Sequence, residues 1–213
     1  RDDVESRGLG DVYKRQEKSN VLEKLDVQSG KYILLSAHRE ENIDTEKNFL
    51  SLFSAINELA AMYDMPILYS CHPRSRERLK KSGFVLDSRV RCHEPFGFHD
   101  YNKLQLNAFA VVSDSGTLPE ESSFFTSIGK PFPAVCIRTS TERPEALEKG
   151  CFVLAGIDKT ELLRAVKLAV EMNENSDFGV PVADYTDESV SGRVVKIIQS
   201  YTGIVDKMVW RKS

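Results

Sequence analysis

The chain has 213 residues, of which 41% are hydrophobic and 29% charged, a balance typical of a soluble globular protein with one sizeable α/β core. Its formal net charge of −3 gives no basic excess, so we expect no nucleic-acid partner. The sequence contains neither a run of about 18 apolar residues nor a basic-then-apolar leader, so we expect no membrane span, no export and a cytoplasmic location.

The first stretch of the chain has an unusual sequence. Residues 6–16 read SRGLGDVYKRQ, which matches, codon by codon, the in-frame translation of a sequencing-library transposon adaptor. We therefore predict that residues 1–16 are non-native and contribute nothing to the fold. Residues 17–213 then form one predicted domain, and we expect the native protein to continue upstream of Glu17.

From Lys31 onward, short apolar or β-branched runs alternate with segments of helical period. This alternation predicts a parallel sheet covered by helices. The six predicted strands are residues 32–36, 67–70, 90–92, 110–113, 134–137 and 152–155.

Three segments show clear helical periodicity. The first covers about residues 45–63, with Asp44 as its expected N-cap. The second begins two residues after Asp158, which has capping-box spacing to Glu161. The last begins after Asp187 and groups its apolar residues on one face. Those residues are Val190, Val194, Ile197, Ile198 and Tyr201.

Polar residues follow most of the predicted strands. In an open parallel sheet, ligands bind beyond the carboxyl ends of the strands, where loops lead into helices. We therefore expect five polar loops to share one rim. They are residues 37–42, 71–74, 94–97, 114–117 and 138–143.

The segment VVSDSGTLPEES places a Ser-Gly-Thr turn between a buried strand and a helix. Gly116 permits a tight turn, while Ser115, Thr117 and the amides at the helix start can donate to phosphate oxygens. A plain turn in which Asp114 and Ser115 only cap the helix would have the same composition. The turn by itself therefore leaves phosphate binding and capping open.

Charged side chains accompany this turn on the predicted rim. His38 directly follows the first strand, where an imidazole can donate to a phosphate or stabilise a leaving diphosphate. Glu121 either faces ribose hydroxyls or, like Glu120, only complements the helix dipole. Arg143 faces the rim unless its loop is merely salt-bridged. His72 follows the second strand, but two histidines are too few ligands to predict a metal.

Several familiar catalytic motifs are absent. The sequence has no G-x-S-x-G elbow, no G-x-G-x-x-G and no Walker A motif. This argues against a serine hydrolase, an independent dehydrogenase or a nucleotide triphosphatase.

The motifs SAHREENID, HPR, SDSGTLPEES and TERPEAL, in this order and spacing, resemble the non-hydrolysing UDP-N-acetylglucosamine 2-epimerase family from Glu17 onward. The resemblance implies two Rossmann-like domains in the GT-B arrangement, with the substrate in the cleft between them. It identifies this chain as the second domain, a parallel sheet with helices on both faces, and implies that the catalytic first domain is missing. It also implies no cofactor, and a homodimer at full length.

The same resemblance implies roles for individual residues. The residues implied to bind the UDP moiety are His38, Ser115, Gly116, Glu121, Tyr101 and Arg143. His38 would lie by the diphosphate as the catalytic residue of this half, Glu121 would hold the ribose hydroxyls, and the backbone of residues 96–101 would receive uracil. Some members have a second, regulatory UDP-sugar site at positions matching Arg39 and His72.

The family reaction inverts carbon 2 by anti elimination and re-addition of UDP, which requires stabilisation of the departing diphosphate. The carboxylates that move the carbon-2 proton belong to the first domain, so we expect this chain alone to be inactive. Thr117-Leu118-Pro119 and the long segment 122–130 favour the capsule-type branch. The sequence does not decide between a UDP-GlcNAc epimerase and a UDP-N-acetyl-L-fucosamine epimerase. The further alternatives are a stand-alone nucleotide-binding module and a GT-B glycosyltransferase donor domain, against which TERPEA argues.

Overall fold

Six short parallel strands form the centre of the computed structural model, which describes residues 19–187 and 190–212. The strands are β1 Ile33–Ser36, β2 Ile67–Ser70, β3 Val90–His93, β4 Ala110–Ser113, β5 Ala134–Ile137 and β6 Val153–Ala155. They form one sheet in the order β3-β2-β1-β4-β5-β6, with every pair parallel. All six predicted strands are confirmed. The predicted non-native residues 1–16 lie outside the described part of the chain.

Helices connect the strands. Their bounds are α1 Val21–Lys24, α2 Glu40–Ile43, α3 Glu46–Tyr63, α4 Pro73–Ser82, α5 Phe98–Asn107, α6 Leu118–Ser127, α7 Pro144–Glu148, α8 Lys159–Glu174 and α9 Val190–Met208, with a 3-10 helix at Ala183–Tyr185. Asp158 caps α8 as predicted. The predicted cap of α3 is wrong by one residue, because the Thr45 hydroxyl accepts the first-turn amide. Asp44 instead pairs with Arg74 at 2.7 Å.

Alternate residues of the strands pack into two cores, one on each face of the sheet, and β3 contributes only Val90. Ile33 and Leu35 of β1 pack with residues of α3 and α8, whereas Leu34 packs with residues of α5 and α6. On the first face, the rings of Phe49 and Phe53 lie 4.7 Å apart. Because both faces are covered, all strands except β3, in which Arg91 and Cys92 are exposed, are almost continuously apolar and therefore recognisable in the sequence.

The chain reverses its direction of winding between β1 and β4. From this central pair, β2 and β3 extend the sheet to one side, and β5 and β6 extend it to the other. In open parallel sheets, ligands bind at such a reversal, in a crevice formed by the loops that follow the two central strands. Residues 37–39 follow β1 and residues 114–117 follow β4, so these two loops occupy the position of that crevice.

Helix α9 presents an apolar face to solvent. The predicted helix is confirmed, but none of its residues is buried, and Ile197, Ile198 and Tyr201 are each more than half exposed. Asp187 precedes it and pairs with Arg193 at 2.6 Å. An exposed apolar face of this kind commonly packs against another chain or domain. Within residues 19–187 and 190–212, no helix is long and apolar enough to cross a membrane.

Candidate functional site

Asp114, at the carboxyl end of β4, holds the loop that follows β1. Its Oδ2 accepts hydrogen bonds from the backbone amides of His38 and Arg39, both at 2.9 Å. Asn42 Nδ2 donates to the same oxygen at 3.0 Å and to the Ile137 carbonyl at 2.9 Å, which ties in the end of β5. The capping role that the sequence left open for Asp114 is therefore wrong, because its carboxylate bonds to the neighbouring loop.

His38 and Asp114 form a close pair at the crevice. His38 Nδ1 lies 3.0 Å from Asp114 Oδ1. Hydrogen bonding to Asp114 raises the pKa of His38, although partial burial opposes this. Burial alone would raise the pKa of Asp114, but hydrogen bonds from His38 and the Arg39 amide outweigh it and lower the pKa. The imidazole is 48% exposed, so its Nε2 is the nitrogen left for a ligand.

The 114–117 turn leads into α6. The Thr117 amide donates to Ser115 Oγ at 3.3 Å, whereas the Gly116 amide has no acceptor in the described part of the chain. Arg39 Nε donates to the first carbonyl of the turn at 2.9 Å. Its guanidinium lies over Gly116, where an added Cβ would be 3.2 Å from Nη2. The turn therefore presents one free amide beneath the guanidinium of Arg39, and Glu142 Oε2 lies 3.9 Å from the same Cβ position.

Glu121 lies below this turn and is only 7% exposed. Gln105 Nε2 donates to its Oε2 at 2.7 Å, and Thr117 Oγ1 donates to its Oε1 at 2.9 Å. Burial raises the pKa of Glu121 and outweighs these two hydrogen bonds, which lower it. Sequence reasoning missed Gln105. A polar residue between Leu104 and Leu106, in the apolar part of a helix, was the available signal.

The loop after β5 is held by ion pairs. Arg138, 7% exposed, donates to both carboxylate oxygens of Glu142, at 2.5 and 2.7 Å. Arg143 precedes α7, and its Nε donates to Glu120 Oε1 at 2.5 Å. The salt-bridged form of this loop, one of the two alternatives from the sequence, is therefore present. Arg143 reaches the start of α6, and its ligand role stays a prediction.

Two further predicted residues stand apart from the crevice contacts. The Tyr101 hydroxyl is buried, and burial raises its pKa. His72 caps α4 by accepting the Arg74 amide at 3.3 Å. In the described residues no hydrogen bond or ion pair joins His72 to Arg39, which bonds to the 114–117 turn instead. The binding role of Tyr101 and the regulatory site at Arg39 and His72 stay predictions.

The fold and the crevice define a Rossmann-like α/β domain with a polar site where the strand order reverses. Across the described residues, no three His, Cys, Asp or Glu side chains stand close enough to hold a metal ion. A family model described as UDP-N-acetylglucosamine 2-epimerase matches residues 4–199. The chain therefore belongs to the UDP-N-acetylglucosamine 2-epimerase family.

Individual relatives agree with this assignment. A UDP-N-acetylglucosamine 2-epimerase from Methanocaldococcus jannaschii is 32% identical over 148 residues, which cover 68% of this chain and 39% of the relative. The structure of the Rickettsia bellii UDP-N-acetylglucosamine 2-epimerase superposes with a TM-score of 0.80 at 33% identity, over 96% of this chain and 53% of that one. A Methanocaldococcus jannaschii structure in complex with UDP-GlcNAc and UDP gives 0.70 at 29% identity, over 88% and 50%. The chain thus spans about half the length of these relatives.

Proposed function

We propose that this chain is the UDP-binding half of a UDP-N-acetylglucosamine 2-epimerase, cytoplasmic and homodimeric at full length. The complete enzyme would interconvert UDP-GlcNAc and UDP-ManNAc for surface polysaccharide precursors. The observation that carries the proposal is the His38–Asp114 pair beside the 114–117 turn, at the strand-order reversal. The UDP-GlcNAc and UDP bound in the Methanocaldococcus jannaschii structure support a UDP-sugar as ligand.

The diphosphate would lie against the 114–117 turn. The free Gly116 amide and the start of α6 face an anion there, and the helix dipole stabilises it by about 0.3–1 kcal/mol. The guanidinium of Arg39 over Gly116 and the imidazole of His38 add positive charge on the opposite side of the crevice. These groups together suit a doubly charged diphosphate.

The elimination step explains why His38 should be protonated. When the bond between carbon 1 and oxygen breaks, its electron pair passes to the diphosphate, whose charge must be stabilised. Asp114 stabilises the imidazolium form of His38, which leaves Nε2–H available as donor to that oxygen. Glu121 does not serve as the base for carbon 2, because it is buried and both of its oxygens accept hydrogen bonds from the protein. The base would come from the first domain of the complete enzyme.

Carbon-2 exchange tests this proposal in a protein that joins the chain to an intact first domain of the family. In D2O, NMR should show deuterium entering carbon 2 of UDP-GlcNAc, and His38→Ala should slow this by about 10²–10³-fold, the usual effect of removing one oxyanion donor. The control is the chain by itself, which should exchange nothing. If deuterium entered only UDP-N-acetyl-L-fucosamine and its epimer, that pair would replace UDP-GlcNAc and UDP-ManNAc as the proposed substrates. No exchange with either pair, or an unchanged rate in His38→Ala, would contradict the proposal.

A further inference from the structure

Two cysteines on neighbouring strands face the same side of the sheet. In the parallel register of β2 and β3, Tyr69 lies opposite Cys92. Cys71 follows two residues after Tyr69, and its amide donates to the His93 carbonyl at 2.9 Å, so the pairing continues past the end of β2. Because side chains alternate along a strand, Cys71 and Cys92 point to the same face. Their thiols are hydrogen-bonded to each other.

The two thiols differ in their access to solvent. Cys71 is 1% exposed, whereas Cys92 is an exposed residue of β3, the strand at one edge of the sheet. A small molecule in solution therefore reaches Cys92 without any opening of the core. Cys136 and Cys151 are both buried. Cys71 and Cys92 thus combine mutual contact with access from solvent.

The pair carries a negative charge near neutral pH. The hydrogen bond with Cys92 is the largest cause that lowers the pKa of Cys71 to about 7. Burial opposes it, and hydrogen bonds from Tyr69 and Arg76 and the charge of Arg76 assist it. The hydrogen bond with Cys71, together with burial, raises the pKa of Cys92. The two sulfurs therefore share one proton, and the thiolate charge lies beside Arg76 of α4.

A low-molecular-weight disulfide can oxidise this pair in two exchange steps. Cys92 passes its proton to Cys71 along their hydrogen bond, and its sulfur attacks the small disulfide, which expels one thiolate and leaves a mixed disulfide at Cys92. The expelled thiolate takes the proton from Cys71, whose sulfur attacks that of Cys92 and expels the second thiolate. The two cysteines are oxidised to one disulfide, and the small disulfide is reduced to a thiol and a thiolate.

The position of Cys71 permits this bond and places it near the crevice. Cys71 lies one residue beyond β2, at the start of the 71–74 loop, so movement of this loop can bring its sulfur closer to Cys92. The Tyr69 hydroxyl and Ser75 Oγ, on either side of Cys71 in the chain, donate to the Ala37 carbonyl at 2.8 and 3.3 Å. The pair therefore lies among the residues that support the loop after β1.

We propose that Cys71 and Cys92 are a site of reversible oxidation, which closes to a disulfide between the end of β2 and β3 on reaction with a low-molecular-weight disulfide. Because Cys92 is exposed, we expect small thiols to reduce the bond again. The inference goes beyond the proposed function and does not depend on UDP binding.

Oxidation of the chain with glutathione disulfide under argon tests this proposal. After labelling with N-ethylmaleimide in denaturant, the reduced chain should carry four maleimides, one on each of its 4 cysteines, and the oxidised chain two. Trypsin leaves the two cysteines on separate peptides, residues 48–74 and 92–103, so a disulfide is what joins these peptides in one mass. Dithiothreitol should return the count to four.

Single serine variants separate the two exchange steps. Cys71→Ser lacks the second step and should accumulate a stable glutathione adduct at Cys92. Cys92→Ser has no exposed partner and should keep its remaining cysteines reduced. The matched control is Cys151→Ser, a buried position at which a hydroxyl can keep the hydrogen bond to the Val180 carbonyl. It should form the disulfide as the wild type does.

The peptide map of the wild type decides the proposal even where a serine variant fails to fold. Joined peptides 48–74 and 92–103 would support it. A wild type that keeps four reactive thiols, stops at the glutathione adduct or links Cys92 to a second copy of the chain would overturn it. Loss of two thiols from Cys92→Ser would also overturn it, because another pair would then be the one oxidised.

Discussion

Replacing Asp114 with alanine should lower the free energy of unfolding by about 3–5 kcal/mol, a large part of the about 5–15 kcal/mol of a typical domain. The substitution removes the acceptor of the His38 and Arg39 amides and of the buried Asn42 side chain. Because these groups join the ends of β1, β4 and β5, UDP binding should be lost as well. Urea unfolding and calorimetric titration with UDP measure the two effects.

The difference in free energy of unfolding between wild type and Asp114→Ala depends on pH, and the sign of this dependence follows from two pKa shifts. The folded-state pKa of Asp114 is lowered, so its stabilisation is present above the unfolded value of about 3.9 and is lost as the pH falls through the folded value. The folded-state pKa of His38 is raised. The stabilisation that His38 contributes is therefore present below the unfolded value of about 6.5 and is lost as the pH rises through the folded value. The difference in free energy of unfolding between wild type and Asp114→Ala should therefore be largest between about pH 4 and 6.5.

The control is Asp44→Ala, which removes an exposed ion pair with Arg74 and should cost less than about 1 kcal/mol at any pH. Equal costs would contradict the role given to Asp114.

Gly179→Ala should destabilise the domain by about 2–5 kcal/mol, which combines overpacking with a disfavoured backbone angle. Gly179 has a φ of +73°, and an added Cβ would lie 2.5 Å from backbone atoms of Gly150 and Lys149. The backbone has little room to move, because the Val180 amide donates to the Lys149 carbonyl at 2.8 Å. Urea unfolding of the variant measures the cost.

Gly129→Ala is the matched control for the close approach. Gly129 has a similar φ of +70°, but nothing lies within 4 Å of an added Cβ. It should therefore show only the backbone cost of about 1–2 kcal/mol. If both alanine variants were equally stable, contact with Gly150 would not be what requires glycine at position 179.

The sheet was predictable because all of its strands except β3 are covered on both faces. Each of those strands is an apolar run, so its bounds follow from the sequence, and the shared rim follows from the parallel arrangement. The cap of α8 was also predictable, because Asp158 bonds to amides only two and three residues away. Local hydrogen bonds of this kind depend on short-range geometry alone.

Contacts between loops were not predictable in the same way. Asp114 bonds to residues 72 to 76 positions earlier in the chain, and Gln105 bonds to Glu121 across 16. Such contacts depend on which strands are neighbours, and an alternating pattern of strands and helices does not specify the strand order. The sequence therefore left Asp114 between a cap and a ligand-binding residue, and gave no role to Gln105.

The most direct test of the account is an amide NMR titration of the isotope-labelled chain with UDP, with uridine as control. UDP should shift the amide resonances of His38, Ser115 and Gly116, which border the crevice between β1 and β4. Uridine, which has no phosphates, should leave Gly116 unshifted. UDP that shifts neither loop, or shifts only residues away from this crevice, would contradict the claim that this domain binds the UDP moiety there.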